Sequence, residues 1–329
     1  MLRTLRCSVE RWPLATPFRI SRGVKTEAEL VTVELRQGEV TGRGEAVPYA
    51  RYGETPESVR GQIITVKARI ESGATREELL GLLTPGAARN AIDCALWDLE
   101  TRLGGPPPGP PPAPVATAIT ISLDRPEAMG KAAAIAAASG ARLLKAKLDM
   151  GEPAACLKAI RVAAPDVRLI ADANEGWSLG DLIALQPLLA ELRVAFVEQP
   201  LPAGEDGCLE GLALRVPLCA DESCHTSADL DRLAGRYSVV NVKLDKTGGL
   251  TEALRLVATA RARGFGIMTG CMVCTSLGIA PAFHIAALAD FVDLDGPLWL
   301  SQDRDGGARM RADGLLAPPG PALWGGRHA

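Results

Sequence analysis

The sequence predicts an α/β protein: a (β/α)8-type, modified TIM barrel preceded by a smaller N-terminal α+β capping domain. Three observations predict it. Eight short, β-branched strand patterns alternate with helical patterns between residues 116 and 297, as parallel βαβ units do. The chain before them reads differently, as strands followed by helices. Between the two lies GGPPPGPPPAP at 104–114, a proline-dense, extended connector.

In chain order, residues 7–9 and the LVTVEL run at 30–35 alternate as strands, and 58–72 carries apolar residues at helical spacing. AARNAIDCALWDLETRL at 87–103 is a second helix, stopped by Gly104 and Gly105. The barrel strands are expected at 116–122, 142–148, 167–173, 194–200, 217–223, 239–245, 265–271 and 291–297. The capping domain is then 1–112 and the barrel 113–300. The segment 301–329 is expected to pack back on the cap.

A chain of 329 residues, 47% hydrophobic and 23% charged, has the length and composition for such a core. Its net charge of −3 and lack of a basic block argue against nucleic acid as a partner. The N-terminal MLRTLRCSVERWPL has no apolar signal-peptide region, and no apolar run approaches the roughly 18 residues a membrane span needs. Eight cysteines without paired spacing fit a reducing, cytoplasmic setting. The one close pair, Cys271 and Cys274, lacks a second zinc half-site and is read as structural or pocket-lining.

Function in such a barrel is expected at the C-terminal strand ends. There the sequence places Thr120, Lys147, Asp172, Glu198, Asp221, Lys243, Cys271 and the pair Asp293/Asp295, recurring every 22 to 28 residues. Asp172, Glu198 and Asp221 come from consecutive strands and would repel without a cation. Oxygen-only ligation with no nearby His or Cys favours Mg²⁺ over zinc. Each carboxylate taken singly could equally cap a helix or pair with a base.

Lys145 and Lys147, two apart on a strand, point to the same side. Their proximity is expected to depress one pKa toward base range. Lys243 ends the sixth strand, opposite the second. A substrate carboxylate on the metal would lie between lysines, one taking the α-proton and the other returning a proton to the opposite face. A solvated or salt-bridged lysine is the ordinary alternative. His225, His284 and His328 fall at no strand end, which disfavours histidine bases and a Ser-His-Asp arrangement. His284, in an apolar helical stretch, reads as a packing residue.

The ordered motifs resemble the enolase superfamily, in its muconate-lactonizing subgroup. They are Ala88-x-x-Ala91-Ile92-Asp93-x-Ala95-Leu96-Trp97-Asp98, Lys145-Ala146-Lys147, Asp172-Ala173-Asn174, Glu198-Gln199-Pro200, Asp221-Glu222-Ser223, and Asn241-Val242-Lys243 running on to Gly248-Gly249. Asp293-Leu294-Asp295-Gly296-Pro297 and the run from Gly270 to Ser276 are most similar to the bacterial L-Ala-D/L-Glu epimerases, dipeptide epimerases of peptidoglycan recycling. The runs from Thr16 to Gly23 and from Ala220 to His225 resemble that group too.

The resemblance implies one Mg²⁺ held by Asp172, Glu198 and Asp221, with Lys147 and Lys243 as acid/base catalysts and Lys145 tuning Lys147. It implies Asp293 and Asp295 for the dipeptide's ammonium group, and Thr120, Cys271, Met272 and Val273 as pocket lining. The loop 19–26 would close over the mouth, with Arg22 or Lys25 meeting a distal carboxylate. Barrels of this type often assemble, so a homo-oligomer is expected. Sister reactions on the same site are o-succinylbenzoate synthesis, N-acylamino acid racemisation and muconate cycloisomerisation. A Schiff-base aldolase or a non-catalytic barrel are the readings further off.

Overall fold

The computed structural model describes residues 3–20 and 23–326. An antiparallel meander opens the chain: β1 (Thr4–Ile20), β2 (Gly23–Gln37) and β3 (Val40–Ala46), in that spatial order. The strands expected at 7–9 and 30–35 are the interiors of β1 and β2, which run further. Their ladder passes Pro13↔Glu27, shifts register, and resumes at Phe18↔Lys25. Pro13 and Pro17 hid the extension, since proline lacks a ladder N–H; β1 is an edge strand, where proline is tolerated.

Helices α1 (Pro56–Glu71), α2 (Arg76–Leu82) and α3 (Ala87–Arg102) cover the meander. α1 begins at a reciprocal cap between Thr55 and Ser58. Val31, Val33 and Leu35 of β2 are buried with Ile63 and Ile70 of α1 and with Ile92, Leu96 and Leu99 of α3. α3 lies directly on β3 because two glycines face it. A Cβ on Gly44 would sit 2.1 Å from the Ala91 carbonyl oxygen, and one on Gly42 2.4 Å from that of Ala95.

Eight strands follow: β4 (Ala118–Ile121), β5 (Leu143–Lys147), β6 (Arg168–Asp172), β7 (Val194–Glu198), β8 (Leu218–Ala220), β9 (Val239–Val242), β10 (Gly266–Gly270) and β11 (Phe291–Asp293). They form one sheet in chain order, parallel at each junction. A parallel bridge between Thr117 and Val292, and the Leu294 N–H donating to Thr117 Oγ1 at 2.8 Å, bring the first strand beside the last. Each strand lies within its expected segment.

The helical layer is less regular than the alternation predicted. α4 (Pro126–Ala138), α5 (Pro153–Ala163) and α6 (Leu179–Glu191) follow β4, β5 and β6. β7 and β8 are joined through a 3-10 turn, Asp206–Leu209, and β8 and β9 through a second turn and the four-residue α7 (Leu230–Leu233). Pro202, Gly204, Gly207, Gly211 and Pro217 make the β7–β8 connection a poor helix former. α8 (Leu244–Thr247) and α9 (Leu250–Ala262) follow β9, and α10 (Ser276–Ile279) and α11 (Ala282–Ala286) follow β10.

Beyond β11 the chain returns through a ribbon of β12 (Arg309–Met310) and β13 (Leu316–Ala317). Trp324 Nε1 then donates to the Cys94 carbonyl at 3.1 Å, and the Gly325 N–H to Asp98 Oδ1 at 2.7 Å, both on α3. The proline-dense connector is pinned from the other side, His284 Nδ1 lying 3.1 Å from the Pro110 carbonyl. His284 is therefore a buried packing residue whose Nδ1 has a partner. No helix among the described residues is long and apolar enough to cross a membrane.

Strand periodicity positions the site. Ala118, Leu143, Ile170, Phe196, Cys219, Val239 and Met268 cluster inside the barrel, with Phe291 packed against them. Two residues further along each strand come Thr120, Lys145, Asp172, Glu198, Asp221, Asn241, Gly270 and Asp293. The same inward face that carries an apolar plug turns polar one layer up.

Candidate active site

In the polar layer lysines and carboxylates interleave. β5 and β6 are in register at Lys147↔Asp172, and β6 and β7 at Asp172↔Glu198. Lys147 Nζ lies 2.6 Å from Asp172 Oδ2, and Lys145 Nζ 3.7 Å from the same oxygen and 3.9 Å from Glu198 Oε2. The two lysines do share a side of the strand. Lys145 also makes a short ion pair with Asp293 Oδ2. Across the mouth Lys243 Nζ lies 2.6 Å from Asp221 Oδ2. All these groups are buried.

The electrostatics correct one expectation. Burial disfavours the Lys145 ammonium, but Asp293, Glu198 and Asp172 outweigh it and hold its pKa well above the ordinary lysine value. Lys145 is not pushed toward base range by its neighbour, because three carboxylates surround it. Lys243 is likewise held high, burial being outweighed by Asp221 and Glu198. Burial would raise Asp221, yet Lys243 and Lys246 hold it well below the carboxylate range. Glu198, pressed by burial and by the Asp172 charge, is pushed up to about 8.

The donor set suits a hard cation. Asp172, Glu198 and Asp221 offer oxygen only, and Glu198 Oε2 is buried with no hydrogen-bond partner among the described residues. Among the described residues no three or more His, Cys, Asp or Glu side chains stand arranged to hold an ion; lysine ammonium groups lie among the carboxylates instead. An orphaned buried carboxylate oxygen and a proton-trapping Glu198 are what a divalent ion would relieve.

Three further residues order this layer. Lys246, fully buried, donates to Asp221 Oδ1 at 2.6 Å and to the Asn241 carbonyl at 2.8 Å. Asn241 Nδ2 donates to Glu198 Oε1 at 2.7 Å. Gln199 Oε1 accepts from the Asp221 and Ser223 N–H groups at 2.9 and 3.0 Å, so the residue after Glu198 staples β7 to β8. Gln199 holds φ at 34° to do so. These residues lie within the sequence motifs, where composition alone gives them no part. The available signal was spacing: Asn241 is two before Lys243 and so on its face, and Lys246 is one helical turn beyond it.

Above the polar layer lies a cleft of about 470 Å³, of small-molecule size. Thr120, Cys271, Met272, Val273, Asp293, Asp295 and Lys25 all line it, with Lys145, Lys147, Asp221 and Lys243. The Thr120 N–H donates to Asp295 Oδ2 at 2.8 Å, and burial with the Asp293 charge moves Asp295 up to about 6. Lys25 Nζ sits 5.0 Å from the Tyr49 ring centre. Arg22 lies outside the described residues. Phe18, Ile20, Gly23 and Val24 of the β1–β2 tip line the cleft, and the tip is tied to the barrel where the Leu123 N–H donates to the Arg19 carbonyl. Sequence reasoning missed Tyr52 and Trp299, two aromatic walls of the cleft.

Residues 2–107 match the family model of the mandelate racemase / muconate lactonizing enzyme N-terminal domain, and 128–321 that of the enolase C-terminal domain-like family. The chain is 50% identical to the L-Ala-D/L-Glu epimerase of Escherichia coli (strain K12), over 92% of this chain and 96% of that one. It is 44% identical to the N-acetyl-D-glutamate racemase of a Pseudoalteromonas species, over 91% and 96%. A crystal structure of an Agrobacterium tumefaciens enolase family member, with homology to dipeptide epimerases and with bound sodium and L-Ala-L-Glu, superposes at a TM-score of 0.94. The two chains are 48% identical, with 98% and 99% covered. A dipeptide epimerase from Cytophaga hutchinsonii, complexed with Mg and D-Ala-L-Val, superposes at 0.90 with 26% identity, covering 97% and 94%. The chain belongs to the enolase superfamily, in its mandelate racemase / muconate lactonizing enzyme branch. It is an isomerase of the racemase and epimerase kind.

Proposed function

We propose that this chain is a Mg²⁺-dependent dipeptide epimerase that inverts the α-carbon of the C-terminal residue by two-lysine proton transfer, with L-Ala-D/L-Glu as its substrate pair. The observation that carries the reading is the placement of Lys147 and Lys243 on opposite sides of the Asp172–Glu198–Asp221 layer at the floor of the cleft. One Mg²⁺ bound by these carboxylates would supply the charge that acidifies the substrate's α-proton, stabilises the enediolate and takes over the carboxylate charge now holding Lys243 protonated.

The protein's own groups do the rest. Lys147 Nζ takes or returns the α-proton on one face and Lys243 Nζ on the other, so each stereoisomer meets a base and an acid. Lys145 and Asp293, mutually paired in the cleft, offer a cation and an anion to a zwitterion. The substrate carboxylate turns toward Lys145 while the free α-ammonium group takes Asp293 and Asp295. The setting we infer is cytoplasmic recycling of murein peptides, in keeping with eight free thiols.

N-acylamino acid racemisation is the second reading, favoured by the likeness to the N-acetyl-D-glutamate racemase. The buried Lys145–Asp293 pair argues for the first. An acylated substrate would draw Lys145 away and bring no cation to Asp293, and a buried charge stripped of its partner costs about 3–5 kcal/mol.

The test is incubation with L-Ala-L-Glu in D₂O, following the glutamyl α-proton by NMR with and without EDTA. Deuterium incorporation together with the D-Glu epimer, both lost to EDTA, is the expected result. Exchange with N-acetylglutamate alone would move the reading to the racemase, and no exchange with either would end it.

A further inference from the structure

One ion pair at the mouth has no part in the chemistry above. Arg51, in the 3-10 turn Ala50–Tyr52 of the cap, donates from Nε and Nη2 to the two carboxylate oxygens of Glu175, both at 2.7 Å. This is a two-pronged, charge-assisted contact, the strongest geometry available to such a pair. Glu175 is well placed to anchor it. Its side chain is 7% exposed, and it stands three residues after Asp172, in the loop beyond β6. Its N–H donates to the Gln199 carbonyl at 2.8 Å, and Glu175 Oε1 also accepts from the Ala203 N–H at 2.7 Å in the loop beyond β7. It holds φ at 67°, a left-handed backbone that a non-glycine residue adopts at a cost. The barrel side of the contact is thus built into two strand-end loops.

On the cap side the turn is held at its base. Glu54 accepts from the Tyr49 N–H at 3.1 Å and from the Ala87 N–H at 2.8 Å, where α3 begins. Between those fixed points, Tyr49, Ala50, Arg51 and Tyr52 wall the cleft. The Tyr52 ring meets the His225 ring edge-on at 4.7 Å, and Tyr52 lines the cleft beside Lys243 and Asp221.

We propose that Arg51 and Glu175 are a latch that holds the cap turn over the mouth, making Arg51 a positioning residue for the substrate wall formed by Tyr49 and Tyr52. The latch fixes the wall against the loop that carries the end of β6. Breaking it loosens the wall, weakens substrate binding and leaves the lysines and carboxylates in place. The kinetic part of this inference rests on the epimerase reading; the structural part does not.

The test compares Arg51→Gln, Arg51→Lys and Glu175→Gln with the wild-type protein in Mg²⁺, by hydrogen exchange and by dipeptide kinetics. The amides of Tyr52, Gly53 and Glu54 are hydrogen-bonded within the turn and report its opening. In Arg51→Gln and Glu175→Gln these amides should exchange about tenfold faster and KM should rise about tenfold, with kcat within about threefold, as expected for loss of one charge-assisted pair. Arg51→Lys, which keeps the charge but not the fork, should lie between. If Arg51→Gln folds poorly, Arg51→Lys and Glu175→Gln carry the comparison. Unchanged exchange and unchanged KM in the folded variants would overturn the latch. Should the wild type epimerise nothing, the functional reading falls while the exchange rates still decide the latch.

Discussion

At the scale of single residues, positive and negative charge alternate around the polar layer. Lys147 holds Asp172, Lys243 and Lys246 hold Asp221, and Glu198 Oε2 has only the more distant Lys145 ammonium at 3.9 Å. If Lys147 and Lys243 are the two bases proposed, replacing either by alanine should stop epimerisation while sparing half the chemistry. Lys147→Ala and Lys243→Ala are each expected to lower epimerisation at least about a thousandfold, as loss of a general base or acid does. Each should still exchange the α-proton of one stereoisomer in D₂O, and the two should prefer opposite stereoisomers. Two mutants retaining the same preference would show that the lysines do not address opposite faces. Asp293→Asn tests the other end of the cleft. It should raise KM for L-Ala-L-Glu about tenfold or more, through loss of a buried charge pair, and discriminate less against N-acetylglutamate.

Elements bring these groups together by close packing as much as by strand order. α3 rests on β3 through Gly42 and Gly44, and its far face reaches the barrel. Asp93 Oδ2 accepts from the Thr251 N–H at 2.9 Å, and the Arg89 guanidinium donates to the Thr247 and Gly248 carbonyls beyond Lys243. A methyl group on Gly44 would force α3 away from the sheet. Gly44→Ala should cost about 2–3 kcal/mol of stability, the range for overpacking a site that cannot relax, measurable by urea titration. Gly38→Ala, at a hairpin turn with nothing within 4 Å, meets no such clash, and its cost comes only from a φ of 63°. A smaller loss at Gly44 than at Gly38 would contradict the packing argument.

For the whole molecule, the junction of cap and barrel runs through buried carboxyls that burial raises above their ordinary range. Asp245, on α8, accepts from the Val47 N–H at 2.9 Å and from Asn90 Nδ2 at 2.8 Å, both in the cap. Burial pushes it up to about 7, with Glu54 and Glu45 adding to the rise against those hydrogen bonds. A carboxyl raised in the folded state binds its proton more tightly there than in the unfolded chain. Its contribution is therefore full below about pH 4 and lost as pH rises through about 7. The thermal midpoint should fall by a few degrees, on the order of 3–6 °C, between pH 5 and 8. Asp245→Asn keeps the acceptor oxygen and should flatten part of that decline. A slope unchanged in the variant would remove Asp245 from the junction's pH response.

The eight barrel strands, the α1 and α3 helices, and the carboxylates and lysines of the polar layer were all legible in the order of residues. Alternation and a recurrence of 22 to 28 residues are local or periodic, and they survive without knowledge of contacts. Tertiary structure alone decided what those residues face. The Lys145–Asp293 pair spans 148 positions of chain and the Arg51–Glu175 pair 124, so no local pattern announces either. The same holds for the sense of the lysine shift. Two neighbouring ammonium groups read in isolation repel, but Lys145 in the closed barrel is ringed by carboxylates from three other strands, and the electrostatic sum reverses.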